Sequence, residues 1–472
     1  MNLLFIYPKH SPYAIAPSNF EPLALEILAA TVPRHNISIF DMRYEKYSSL
    51  GRALRRGDFS VAGISVNNTM QVNNAKKIIN FVRSKDSKLK IVVGGHHPAL
   101  VPQDFYEPSV DAIFFGWAEK SFPEYIDRLE RGSFPDDIPG IMALKDGDPC
   151  GIFDKDKSIR EPVIPYPKRD LVSKYRNHYR DEIGRRTALV NTARGCPYRC
   201  TFCACWKFAD GKYFARSAED IAREIATIPR DIKRVFFADD NTFFDVKRAK
   251  LLCQMIKGEK IKKRYSGYTR ADTVARNPRL SKMWKEVGLD NLTIGFEAVS
   301  NERLKQLNKS NRTEINEKAV EVLRDIGLQH RSYFLIDPDF TKQDFDDVYS
   351  YVVQHNIARP MFVTLTPLPG TIIHEQQKSK IDRSYDFFDF VHWVVPTRLG
   401  NDEFFREFCR IYYRIYSYKR WVKTVLSNLV KIVSGLKAGR QLLLHVSLWE
   451  LVRLRVVAYV MKRRLRDHYL LK

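Results

Sequence analysis

Short apolar runs recur along the first part of the chain, at Leu3–Tyr7, Ile37–Met42, Val61–Val66, Ile91–Val93 and Ala112–Phe115. Between them, apolar positions fall at helical spacing over Leu23–Val32, Ala75–Val82 and Glu119–Leu129. Strands alternating with helices over short links predict right-handed crossovers, hence an α/β fold with a doubly wound, Rossmann-like parallel sheet over residues 1–130. In that architecture ligands sit beyond the carboxyl ends of the strands, where the strand order reverses. The expected strand ends carry Ser65, Asn67, Asn68 and Thr69, then Gly94, Gly95, His96 and His97, then Gly116. Paired glycines let the backbone approach a flat ligand; ordinary glycine turns have the same composition, and the residues alone leave both readings open.

Residues 131–186 are punctuated by Gly132, Pro135, Pro139, Gly140, Gly147, Pro149, Gly151, Pro162, Pro165 and Pro167, which reads as an irregular linker. Beyond it the strand-then-helix rhythm returns over 187–385. Strands are predicted at Leu189–Ala193, Arg234–Ala238, Tyr265–Thr269, Leu292–Phe296, Ser332–Ile336 and Phe362–Leu365. Helical patterns over Ala218–Ile228, Lys247–Ile256, Leu280–Val287, Glu314–Ile326 and Phe345–His355 separate them. Six such units predict a partial (β/α)6 barrel with its chemistry on the loops after the strands.

At 472 residues with 44% hydrophobic positions, the chain can fill two or three cores. Seven cysteines, four of them within 196–205, do not resemble an extracellular disulfide framework and predict reduced thiols. Met1–Tyr7 reads as a first strand and not as a signal peptide, so the expected location is cytoplasmic. The formal charge is +23, and Ile411–Lys472 alone carries 14 Lys and Arg against Glu450 and Asp467, or +12. The whole region 386–472 is basic, aromatic and helical in pattern, with Trp393, Trp421 and Trp449. Its most apolar stretch, Leu442–Val452, is broken by His445 and Glu450, and no run approaches the roughly 18 residues needed to span a bilayer. Such a region suits a helical cap on the open barrel or a surface lying on anionic lipid.

The candidate chemistry is concentrated in Arg194-Gly-Cys-Pro-Tyr-Arg-Cys-Thr-Phe-Cys-Ala-Cys205, directly after the first predicted barrel strand. Cys196, Cys200 and Cys203 can hold three irons of a [4Fe-4S] cluster and leave the fourth iron open to a small molecule. A zinc knuckle completed by Cys205 or a distant His is the alternative that spacing leaves open. Later strand ends carry Asp239, Asp240 and Asn241, then Arg270 and Asp272, Glu297, Asp337 and Asp339, and Thr366 followed by Pro367-Leu-Pro-Gly-Thr371. Carboxylates and a fork-shaped cation together suit a zwitterionic ligand.

With Phe202 before its third cysteine, this loop resembles that of the radical S-adenosylmethionine (SAM) enzymes. The resemblance implies Cys196, Cys200 and Cys203 as ligands, Phe202 near the adenine of SAM, and Cys205 as a bystander. It further implies SAM contacts from Asp239 and Asp240, from Arg270 toward the carboxylate, from Glu297, and from Thr366 and Pro367. Gly63-Ile-Ser-Val, Val92-Val-Gly-Gly-His-His and Val110–Gly116 are similar to the cobalamin-binding domain that precedes many radical SAM domains. That implies cobalamin contacts from Ser65, Asn67, Gly94, Gly95, His96 and Gly116. The Asp-x-His-x-x-Gly motif is absent, which implies no histidine ligand to cobalt, and Gly116-Trp-Ala-Glu119 replaces the usual acidic turn, which places Trp117 at an edge of the corrin pocket.

Arg194-Gly-Cys-Pro, Cys203-Ala-Cys-Trp, Val235-Phe-Phe-Ala-Asp-Asp, Leu335-Ile-Asp-Pro-Asp-Phe340 and Val395-Pro-Thr-Arg-Leu399 most resemble the hopanoid C-3 methylase type among cobalamin-dependent (class B) radical SAM methyltransferases. The resemblance implies methylation of an unactivated carbon of a small molecule or lipid such as a hopanoid, through a 5′-deoxyadenosyl radical and methylcobalamin. It also implies an external electron donor such as flavodoxin or ferredoxin. A lipid substrate favours peripheral contact of the basic tail with the inner face of the membrane, and nucleic acid is not the favoured partner. A cobalamin-dependent radical cyclase or rearrangement enzyme would share these motifs. A metal-stabilised nucleic-acid-binding or tRNA-modifying protein would explain the charge.

Overall fold

The computed structural model describes residues 1–15, 19–151, 164–181 and 184–417, with isolated positions between 422 and 466. The first sheet is built from β1 (Asn2–Tyr7), β2 (Asn36–Asp41), β3 (Val61–Ser65), β4 (Lys90–Gly94), β5 (Ala112–Phe114), β6 (Ile141–Lys145) and β7 (Asp148–Cys150). Its order is β2-β1-β3-β4-β5-β6-β7, with β1 to β5 parallel. The order reverses between β1 and β3, so a crevice opens where Tyr7 and Ser65 end their strands. Alternate strand residues face helices on both sides: Leu4, Ile6, Ile64 and Val93 fill one core and Leu3, Phe5 and Val92 the other.

The expected linker is a correction. β6 and β7 pair antiparallel at the edge of the first sheet. Asp146 and Gly147 between them both have positive φ, 54° and 93°, as a two-residue hairpin turn requires. Pro149 lies on the outermost strand, where its missing N–H breaks no ladder. Gly147 and Pro149, two of the residues that suggest a linker, are thus hairpin chemistry. A 3-10 helix at Arg169–His178 then returns to the first core through Val172, Tyr175 and Tyr179.

The second unit comprises β8 (Thr187–Val190), the short antiparallel pair β9 (Ala193–Arg194) and β10 (Phe214–Ala215), then β11 (Arg234–Phe237), β12 (Arg264–Arg270), β13 (Leu289–Glu297), β14 (Gln329–Ile336) and β15 (Pro360–Thr364). All six expected barrel strands are present and parallel, in the order β15-β14-β13-β12-β11-β8, so the barrel is open between β8 and β15. Outward residues such as Val235, Phe237, Ile294, Phe334 and Phe362 pack into one core with the surrounding helices. Those helices start where the sequence offers caps: Ser217 accepts from the Asp220 N–H at 3.1 Å, and Thr341 forms a reciprocal box with Asp344.

An open barrel leaves two rows of unpaired backbone groups. On β8, the Leu189 N–H donates to Glu21 at 2.7 Å, while Arg169 and Arg216 donate to the Leu189 and Asn191 carbonyls at 2.6 and 2.9 Å. On β15, Tyr412 bonds both the N–H and the carbonyl of Phe362, and the Thr364 N–H reaches the Phe390 carbonyl at 2.8 Å. Side chains from the first unit, the connecting segment and the C-terminal part therefore stand in for the missing strands. Tyr412 belongs to helix Asn401–Ile415, the described part of the expected helical C-terminal region; Trp421, Leu442–Val452 and Trp449 lie outside the described residues. No helix among the described residues is long and apolar enough to cross a membrane.

Helix Leu23–Ala30 of the first unit fills the gap, with Leu23 and Ile27 against Leu189 and Phe236 inside the barrel. The same helix carries Glu26, fully buried, with neither carboxylate oxygen hydrogen-bonded and Arg169 only 4.0 Å away. Burial, reinforced by the charge of Glu21, holds its carboxyl well above the ordinary range. A carboxyl raised on folding contributes stability that is complete below the unfolded value and is lost as pH rises through the folded one. Glu26→Gln is therefore expected to stabilise the chain relative to the parent at pH 8 and to have little effect at pH 5, read by thermal unfolding. An offset equal at both pH values would contradict the assignment.

Candidate active site

β8 ends under Asp239, whose buried carboxylate accepts from the Thr192 and Ala193 N–H groups at 2.6 and 2.9 Å and from the Thr192 hydroxyl at 2.5 Å. Expected to contact SAM, Asp239 has both oxygens engaged in fixing the strand end from which the cysteine loop departs. A short side chain at the end of buried β11 reaches the end of its neighbour β8 more readily than a ligand. Burial raises its pKa against these hydrogen bonds. Asp240 accepts from the Gly195 N–H at 2.9 Å and is otherwise exposed toward the loop. Gly195 has φ +84°, and a Cβ there would stand 2.2 Å from the Lys212 carbonyl, so the loop can turn only at glycine.

The loop is fastened from three sides. Trp206 donates its indole N–H to the Cys200 carbonyl at 2.9 Å, the Thr201 N–H reaches the Leu307 carbonyl at 3.0 Å, and the Ile373 N–H reaches the Thr201 carbonyl at 3.2 Å. Cys196, Cys200 and Cys203 lie near enough that each thiol feels another's charge. Burial pushes Cys196 up to about 11 and also raises Cys200, which Lys309 and Arg270 oppose. Thiolates there require a compensating positive centre, the condition a metal cluster meets. Among the described residues no three His, Cys, Asp or Glu donors converge on one point. Cys205 opens the short helix Cys205–Phe208; the neighbouring Cys203, then burial, holds its thiol well above the ordinary range.

Lys309, which no motif marked, is the buried cation of the site. Its ammonium pairs with Glu297 at 2.7 Å; burial works against its charge, but Glu297 and the neighbouring Cys200 hold its pKa up. Glu297 follows a register shift in β13 and adopts φ +68°, a left-handed conformation that costs a non-glycine residue about 1–3 kcal/mol. A Cβ at Gly295 would meet its carboxylate at 2.0 Å, so Gly295 makes the room. Arg270, expected at the SAM carboxylate, is also already engaged: it pairs with Asp272 at 3.0 Å, donates to the Lys309 and Ser310 carbonyls, and stacks 3.5 Å from the Tyr198 ring. It sits within reach of that neighbour because Asp272 follows two residues later.

Phe202 packs with Leu307, Leu365 and Ile373, which places it beside Thr366 and Pro367 after β15. Asn241 is buried with both amide atoms unpartnered at the head of β11. An unsatisfied amide, an exposed carboxylate and an aromatic ring around one open loop fit a SAM-sized polar ligand.

The cobalamin-side residues face this loop. Gly94 and Gly95 end β4; Gly95 has φ +111°, and a Cβ there would lie 2.6 Å from the Val66 carbonyl oxygen and 2.8 Å from the Asn67 amide oxygen. Glycine at 95 thus lets the β4 loop close tightly on Val66 and Asn67, and Ser65 stands in register beside Gly94 at the same strand ends. His96 begins the next helical turn and packs 4.2 Å from Phe208, just past the cysteines; burial lowers its pKa, with Asp240 opposing. Gly116, φ +65°, turns the chain into Trp117, which meets Phe208 and Phe214 edge-on. Glu119 pairs with Arg194, the residue that opens the cysteine motif, at 2.7 Å with both side chains buried. Gly370 lies 3.0 Å, by its absent Cβ, from Leu100. Gly95→Ala is expected to cost about 1–3 kcal/mol in backbone strain and to weaken cobalamin retention on gel filtration, read from visible absorbance. Full retention would contradict the placement of cobalamin at the β4 loop.

Residues 190–352 match the Radical SAM superfamily and residues 14–126 match the B12 binding domain. The hopanoid C-3 methylase of Methylococcus capsulatus is 28% identical over 461 residues, covering 95% of this chain and 87% of that protein. The solved structure of OxsB, a cobalamin-dependent S-adenosylmethionine radical enzyme with aqua-cobalamin and S-adenosylmethionine bound, superimposes with TM-score 0.69 at 16% identity, covering 99% of this chain and 80% of that one. The radical S-adenosylmethionine methyltransferase TsrM of Kitasatospora setae gives 0.64 at 16% identity over 81% and 77%. The three-cysteine loop and these matches identify a radical SAM domain over residues 190–352, preceded by a B12 binding domain over residues 14–126.

Proposed function

We propose that the protein is a cobalamin-dependent radical SAM methyltransferase acting on an unactivated carbon of a lipid of the hopanoid kind. The observation that carries the reading is the joining of the two ligand sites: the cysteine loop and the β4 and β5 loops meet through Arg194–Glu119, His96–Phe208 and Trp117–Phe214. The extent of the match to the hopanoid methylase, 95% of this chain, supports it. When bound, the cluster with SAM supplies a hydrogen-abstracting radical and cobalamin supplies the methyl group.

The chain's own residues hold, orient and exclude water. Asp239 and Gly195 set the course of the cysteine loop, and Lys309 with Arg270 supplies positive charge beside Cys200. Inside the barrel, Tyr268 is 39% exposed although it lies within β12, between β11 and β13, so it borders an open interior. Phe236 packs edge-on against it, and Phe20 lies over Phe236 from the first unit. Such walls accept an apolar ring system and keep water from a reactive carbon. Abstraction at an aliphatic carbon requires no general base, so none is assigned. The +12 tail beyond Ile411 supports a cytoplasmic protein lying on the inner face of the membrane, where a lipid would be reached. A flavodoxin or ferredoxin is the electron donor in this reading. Mass analysis of lipids from cells with and without the gene tests it: a product one methylene heavier is expected only when the gene is present. Identical lipid profiles would contradict the lipid assignment.

A further inference from the structure

The cysteine loop has an outer side that the function does not absorb. Arg199, Lys207 and Lys212 are all exposed there, and among the described residues none of the three is held in an ion pair. Arg199 and Lys207 lie 5.6 and 4.8 Å from the ring of Trp206. Trp206 is nearly buried and its indole N–H bonds the carbonyl of Cys200 at 2.9 Å. Lys212 rims the same loop, with its carbonyl against Gly195. Cations without partners are commonly just a solvated face. Here, however, they flank an aromatic ring joined by one hydrogen bond to the backbone of a cluster ligand.

We infer that this surface is the docking face for an acidic one-electron carrier protein. The inference rests on the radical SAM reading, which needs an electron delivered to the cluster. One electron leaves the carrier's reduced flavin or iron–sulfur centre and enters the cluster; no group is transferred. The overall charge of +23 attracts an acidic carrier at long range, and Arg199, Lys207 and Lys212 orient it over Trp206. The cobalamin-binding unit packs against Phe208 and Arg194, whereas Arg199 and Lys207 lie over the ring of Trp206.

The test uses the reconstituted full chain and purified flavodoxin as probe. Arg199→Glu/Lys207→Glu is expected to weaken flavodoxin binding at low salt by roughly tenfold or more in calorimetry, and to slow bleaching of the cluster absorbance by reduced flavodoxin by a similar factor. Bleaching by dithionite, which needs no docking, is expected at the parental rate. Arg199→Gln/Lys207→Gln, gentler on folding, should show an intermediate loss, and Lys257→Glu on a distant helix none. A double variant bound and reduced by flavodoxin as the parent is would overturn the inference. So would loss of binding to an RNA duplex with flavodoxin binding intact, which would assign the face to nucleic acid. Iron and sulfide content and dithionite bleaching of the parent test the cluster reading separately.

Discussion

Serine in place of any one of Cys196, Cys200 or Cys203 is expected to abolish stable cluster incorporation, with iron and sulfide content and visible absorbance falling to background after anaerobic reconstitution. Reductive cleavage of SAM should fall with them by orders of magnitude. The three thiols are the donors that the loop brings together, and a serine hydroxyl neither ionises in the accessible range nor binds iron as thiolate does. Trp206, Leu307 and Ile373 hold the loop through backbone groups, so the substitutions remove ligands and leave the fold in place. Cys205→Ser is expected to retain the cluster, because Cys205 lies outside the three-cysteine spacing and opens the helix that follows the loop. Loss of cluster in Cys205→Ser together with retention in one of the others would reassign the ligands.

Lys309→Met is expected to have the second-largest effect. Both partners of the Lys309–Glu297 pair are about 8% exposed, and removing one partner of a buried pair leaves the other charge uncompensated, at about 3–5 kcal/mol. For a unit of this size that corresponds to a fall in Tm of roughly 10 °C. Glu297 also carries a left-handed backbone that the pair helps to hold. Lys309→Met/Glu297→Gln, which leaves no unpaired charge, is expected to recover most of the stability but not SAM affinity. Equal destabilisation in the single and double variants, by thermal unfolding of the apo chain, would show that the pair's charge is not what matters.

The alternation of apolar runs made all six barrel strands legible, because outward residues such as Phe237, Phe334 and Phe362 must meet the helices. The cysteine motif was legible because its spacing is local. Residues 141–150 were misread because Asp146-Gly147 and Pro149 look the same in a linker as in an edge hairpin. Long-range partners were illegible: nothing near Glu21, Arg169 or Tyr412 says that they close the edges of an open barrel, and nothing near Lys309 says that Cys200 is its neighbour. Asp239 and Arg270 were found at the right strand ends, but only the structure shows that Thr192 and Asp272 already occupy them.

The fate of the methyl group separates methylation from every other outcome most directly. Reconstituted enzyme with cobalamin, a low-potential reductant and SAM bearing a trideuterated methyl group, given lipid extract from cells lacking the gene, is predicted to yield a lipid one carbon larger that keeps all three deuterium atoms, together with 5′-deoxyadenosine. A product of unchanged carbon count, or 5′-deoxyadenosine without label in any lipid, would contradict it.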